Sequence, residues 1–169
     1  MAHAAHALPS KRLLDLGISL DTPARPVAAY VPALIKDDLL YVSGQVPFRD
    51  GQLLAHGAVP GQVSSETATM CARQCAINGL AAAHAALQGQ GGIDKIQRVL
   101  RVGCWIACEP NFTDQPQIAN GASEFLIEVF GEFGRHVRAA VGAIALPLNA
   151  PVEVEFLFQL KTDPKGVPS

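Results

Sequence analysis

The run VEVEFLFQ, residues 152–159, constrains the fold more than any other stretch of the chain. Successive side chains of a strand point to opposite faces, so Val152, Val154, Phe156 and Phe158 share one side and Glu153, Glu155, Leu157 and Gln159 the other. Such a strand needs a sheet with one face against a core, and the apolar side should receive helices.

The chain offers two long helices to do this. Residues 64–88 are rich in helix formers, with Ser64 or Ser65 to cap and QGQGG to stop. Met70, Ala76 or Ile77, Leu80, Ala83 or His84 and Leu87 then make one apolar stripe. A second helix, capped by Thr113 or Asp114 with Pro116 in its first turn, runs through Ile118, Phe125, Leu126 and Val129 to Gly131 or Gly134.

Strands fill the remaining positions. VAAYVPALI and LLYVSGQVPF read as two β-rich runs joined at Lys36-Asp37-Asp38, and Asp50-Gly51 marks a further turn before QLLAHGAV. Residues 94–108 read as a strand with Ile96, Leu100, Val102, Cys104, Ile106 and Cys108 on one face. Gln97, Val99, Arg101, Gly103 and Trp105 lie on the other. Two strands close the chain, near Val137–Ala145 and Val152–Lys161. The order β-β-(short β)-α-β-α-β-β predicts an α+β domain, a mixed sheet with two helices packed on one face.

The second sheet face would then be bare, and it carries Trp105, Arg101 and Leu157. Charged residues make up 17% of the chain against 49% apolar, whereas soluble domains average roughly 25% charged. Both observations predict that another copy of the chain covers this surface.

At 169 residues the expected plan is one domain over 26–161, preceded by an arm (1–25) and followed by a short tail (162–169). Within the arm, Ser10 can cap a short helix that ends at Gly17. No apolar run approaches the roughly 20 residues needed to cross a bilayer, and the N-terminal stretch lacks a signal-type hydrophobic core, so a cytoplasmic protein is expected. With 13 basic against 15 acidic residues the formal charge is −2, which makes nucleic acid an unlikely partner.

The cysteines fall as Cys71/Cys75 and Cys104/Cys108. Four residues of strand span about 13 Å, too far for Cys104 and Cys108 to share a zinc ion at about 2.3 Å. Reduced structural thiols are expected rather than a zinc site. His56, His84 and His136 are scattered, without a serine or cysteine placed to suggest a nucleophilic triad.

Arg138 is the residue that demands an explanation. It heads the small, apolar run HVRAAVGAIALPLNAP, and a guanidinium there needs an anionic partner. Glu153 or Glu155 on a neighbouring strand could supply it. Alternatively Arg138 holds a ligand carboxylate while Glu153 places or activates a water, with Ala139, Ala140 and Gly142 leaving room. Gly44 in SGQVP allows a close backbone approach or merely ends a strand. Tyr30, Asn120 and Trp105 could be core, interface or pocket wall.

LYVSGQVP, FTDQPQIANGASEFLIEVFG and GRHVRAAVGAIALPLNAPVEVEF together resemble the YjgF-like, or Rid, family of reactive-intermediate deaminases, also called L-PSP endoribonucleases. The resemblance covers about Pro26 to Leu160. NGAS with VFGEFGRHVR is most similar to the branch known as YjgF-like, chorismate-mutase-like putative endoribonucleases. It implies a chorismate-mutase-like fold, trimeric with a central β-barrel and with pockets between subunits. It further implies hydrolysis of amino-acid-derived enamines or imines to 2-oxo acids and ammonia without a cofactor.

By position, the resemblance makes Arg138 the residue for the substrate carboxylate and Glu153 the glutamate near the reactive water. Tyr30, Gly44 and Asn120 become pocket positions, with Trp105 a further candidate wall. Ala140 departs from the cysteine or serine that many active deaminases carry there. A non-catalytic trimer binding small carboxylates and an endoribonuclease are the alternative readings.

Overall fold

A computed structural model of the chain describes residues 7–20 and 29–162. Among them, five strands form one sheet: β1 (Ala33–Lys36), β2 (Leu39–Gln45), β5 (Ile96–Ala107), β6 (Val137–Ala143) and β7 (Val152–Leu160), in the order β1-β2-β7-β5-β6. Phe48–Arg49 (β3) and Gln52–Leu53 (β4) make a separate small hairpin. Its Asp50-Gly51 turn has positive φ at both residues, the conformation that a tight two-residue hairpin requires. Pairing is antiparallel throughout except between β5 and β6.

The alternation of β7 is realised along its whole length: Val152, Val154, Phe156 and Phe158 are buried, while Glu153, Glu155, Leu157 and Gln159 are partly exposed. The buried side is covered by α2 (Ser65–Ala86) and α3 (Gln115–Phe130), so both long helices lie on one face. Ser64 caps α2, accepting a hydrogen bond from Thr67 N at 3.1 Å. The α2 core face runs through Ala68, Cys71, Ala72, Cys75, Ala76, Gly79, Leu80 and Ala83. Met70, expected in that stripe, is more than half exposed, and Cys71 takes the core position.

Two further expectations need correction. β5 is irregular, with register shifts on both sides of Val99, so Val99 turns into the core and Leu100 lies only partly buried. The first strand begins at Ala33 rather than in VAAY, because Pro32 has no N–H for the ladder; Tyr30 lies on a bend. Residues 27 and 28 of that expected strand lie outside the described residues.

The described part of the N-terminal arm forms α1 (Pro9–Asp15), which buries Leu13. Ser10 does not cap it: Leu8 stands at that position, Pro9 opens the helix, and Ser10 donates from N and Oγ to Asp94 at 2.9 and 2.7 Å. Among the described residues no helix is long and apolar enough to cross a membrane.

Across the other face of the sheet, Leu34, Tyr41, Leu157, Arg101 and Val137 stand in register, one from each strand. Beside them Glu153, Trp105 and Val141 form a second row. Arg101 Nη1 donates to Glu155 Oε1 at 2.7 Å, and no described helix covers this face. Leu34, Tyr41, Val137 and Val141 are each at least 45% exposed.

Candidate functional site

Register decides where Arg138 points. Its parallel partner on β5 is Val102, whose own partner on β7 is the buried Phe156, so Arg138 projects to the helix-bearing side of the sheet. Glu153 pairs with Trp105 on the bare side. Neither Glu153 nor Glu155 therefore neutralises Arg138, and Glu155 is engaged by Arg101.

Helix α3 receives the guanidinium instead. Nη1 donates to Asn120 Oδ1 at 2.9 Å and to Ser123 Oγ at 3.0 Å, and Nη2 donates to the Pro116 carbonyl at 3.1 Å. Positions 116, 120 and 123 are spaced i, i+4, i+7, so they fall on one stripe of the helix. The other side of α3 buries Ile118, Ala122, Phe125, Leu126 and Val129. Three of five guanidinium N–H groups are thus used by neutral acceptors, and among the described residues no carboxylate meets the charge. Nε–H and one Nη2–H remain to donate to a ligand.

Ser123 also lies 3.0 Å from His136 Nε2, while His136 Nδ1 is 2.6 Å from the Gly134 carbonyl. A carbonyl can only accept, so Nδ1 carries the proton, and in the neutral ring Nε2 accepts from the Ser123 hydroxyl. Burial lowers the His136 pKa from 6.5; the Gly134 carbonyl opposes this and Arg138 adds to it. Sequence reasoning left His136 without a serine, and the structure supplies one across a loop. The available signal was the polar pair Asn120 and Ser123, three positions apart and so on one side of the helix.

On the bare side, Gly44 lies at the irregularity of β2 between Val42 and Gln45. A Cβ there would fall on the Glu153 carboxylate, so glycine is what admits that side chain. Burial raises the Glu153 pKa from 4.5, and neighbouring Glu155 raises it further. Ser43 Oγ donates to the Pro32 carbonyl at 3.0 Å, tying the bend that carries Tyr30 to β2 beside Gly44. The candidates therefore form two groups within one chain: Arg138 with Asn120 on the helix side, and Glu153 with Gly44 and Trp105 on the bare side. All four cysteines are free thiols, and burial raises Cys104 to about 12. Among the described residues no three His, Cys, Asp or Glu gather to hold a metal.

This fold and residue set have relatives. Residues 10–160 match the model of the family described as "YjgF/chorismate_mutase-like, putative endoribonuclease". The chain belongs to this family.

A curated relative, "Protein TCP17" of Trypanosoma cruzi, is 36% identical over 161 residues, covering 95% of this chain and 99% of that protein. Among solved structures, the protein Atu1372 of Agrobacterium tumefaciens is 41% identical with a TM-score of 0.82, covering 92% of this chain and 94% of the other. A putative endoribonuclease from Shewanella oneidensis is 28% identical with a TM-score of 0.83, covering 90% and 99%. The family match spans the sheet, both long helices and nearly all of α1.

Proposed function

We propose that this YjgF-like protein hydrolyses enamines and imines derived from amino acids, releasing 2-oxo acids and ammonia, as a homotrimer whose sheets close a central β-barrel. The observation that carries the reading is Arg138: a guanidinium held by Asn120, Ser123 and the Pro116 carbonyl, with two N–H donors unspent and no internal anion. That is the arrangement a small ligand carboxylate requires.

Glu153 stands on the opposite sheet face, so it cannot reach a ligand held by Arg138 of the same chain. A trimer resolves this by bringing the bare face of one subunit, with Glu153, Gly44, Trp105 and Tyr30, against Arg138 and Asn120 of the next. Chemically the site has modest work to do. Water adds to the imine carbon, its protons pass to nitrogen, the C–N bond breaks, and ammonia leaves as the carbonyl forms. Arg138 orients the substrate, and Glu153 takes the proton from the attacking water. Burial raises the Glu153 pKa, which makes its carboxylate a stronger proton acceptor than an exposed one.

The test is 2-oxo acid release from imines generated in situ, with wild type, Arg138→Ala, Glu153→Gln and a refolded equimolar mixture of the two variants. Acceleration by wild type, none by either variant, and recovery of about a quarter of the activity on random mixing is the expected result for a site shared between subunits. No recovery on mixing would refute the shared site. A wild-type rate equal to buffer, with small carboxylates still bound, would replace the enzyme with a binding protein.

A further inference from the structure

His136 is joined to Arg138 by hydrogen bonds through Ser123. The contacts form one directed chain: Arg138 Nη1–H donates to Ser123 Oγ at 3.0 Å, the Ser123 hydroxyl donates to His136 Nε2 at 3.0 Å, and His136 Nδ1–H donates to the Gly134 carbonyl at 2.6 Å. Every group spends its donor forward, so each bond polarises the next. The turn Gly131–Gly134, immediately after α3, anchors the far end.

We propose that His136, held as its Nδ1–H tautomer, is a positioning residue for Arg138: acting through Ser123, it fixes the guanidinium so that Nε–H and the spare Nη2–H are left for an incoming carboxylate. The inference rests on the reading of Arg138 as a carboxylate-binding residue. It adds a condition to that reading. If His136 gains a proton, Nε2 becomes a donor and the Ser123 oxygen then faces two donors. Its own hydrogen must turn away, and two cations stand one hydroxyl apart. Carboxylate capture should therefore weaken as His136 becomes charged.

The surroundings offer the imidazolium little relief. On β6, the strand that His136 precedes, Arg138 disfavours protonation. The adjoining turn contributes Glu132, already paired with Arg135 at 3.0 Å. From β5, Arg101 stands in register with neighbouring Val137 but reaches Glu155 on the other sheet face, and from α3 the contact is Ser123, with no carboxylate in hydrogen-bond reach of the ring among the described residues. The lowered His136 pKa agrees with this accounting.

The experiment follows two signals from pH 8 to pH 5: pyruvate affinity by calorimetry, and the His136 imidazole and Arg138 Nε–H resonances by ¹⁵N NMR. In the wild type, the Arg138 Nε–H shift should track the His136 titration, and affinity should fall about tenfold per pH unit below that midpoint. In Ser123→Ala the two titrations should separate, with affinity already reduced at pH 8. His136→Gln, which keeps an acceptor toward Ser123 but cannot titrate, should lose that acidic limb. Any pH response from Glu153 persists in all three proteins and cancels in the comparison. An Arg138 signal indifferent to His136 in the wild type, or tracking it equally in Ser123→Ala, overturns the proposal. If pyruvate binds nowhere, the carboxylate reading fails, while the NMR coupling still decides whether His136 positions Arg138.

Discussion

Replacing Gly121 with alanine should be costly, although the same change in the interior of an isolated helix usually helps. Alanine is favoured over glycine by about 1 kcal/mol at such positions. At Gly121, however, a Cβ would overlap the Thr69 carbonyl oxygen of α2 and stand 2.9 Å from its carbon and 3.0 Å from Thr69 Cγ2. The nearest obstacle is backbone on a second helix, which no rotamer change removes. Overpacking of this kind costs about 1–3 kcal/mol, and a backbone clash belongs at the upper end. The net loss should be about 2 kcal/mol, a fall in Tm of roughly 4–8 °C for a chain this long.

The consequence reaches the site, because Gly121 lies between Asn120 and Ser123. Moving α3 off α2 shifts both acceptors against Arg138. Urea unfolding at fixed protein concentration, with an unchanged slope and a lower midpoint, together with weaker pyruvate binding, is the expected pair of results. An unchanged or higher midpoint would show that the close helix crossing is not what sets the position of α3.

Glu153 and His136 give opposite pH signatures in stability. The folded pKa of Glu153 is raised, so its contribution is fully present below 4.5 and is lost as pH rises through the folded value. Glu153→Gln should accordingly raise Tm at pH 8 and lose that advantage in acid, and a lower Tm at pH 8 would contradict the assignment. His136 has a lowered folded pKa, so its contribution is present above 6.5 and lost as pH falls. His136→Gln should therefore flatten the Tm profile below that pH. Val141→Asp places a charge beside Trp105 and Glu153 on the bare face; light scattering should show a monomer while circular dichroism stays that of the folded chain, and a persistent trimer would refute assembly through this face.

What the sequence disclosed depends on contrast between neighbouring residues. In β7 every second residue differs sharply in polarity, so the strand and its buried face could be read directly. In α2 the contrast is poor: with alanine at 68, 72, 76 and 81–83, the helical phase is ambiguous, and the pattern alone does not favour Cys71 over Met70 as the core residue. The irregularities flanking Val99 have no local signature, since they arise from fitting β5 between β7 and β6. The direction of Arg138 likewise depends on pairing with β5, which residues 136–156 alone do not specify. Asn120 and Arg138 were brought into one site by resemblance. Ser123 and His136, thirteen positions apart, needed the path of the chain between them.

Trp105 is the chain's single tryptophan, and it stands on the bare sheet face between Glu153 and Val141. Each chain thus carries one indole fluorophore, at the place where subunits are proposed to meet. An indole in water emits at longer wavelength than one enclosed by protein, so dilution below the assembly threshold should redden the emission. A ligand entering beside Glu153 should change its intensity without a wavelength shift of that size. Association and occupancy can then be separated in one cuvette, from an unlabelled protein.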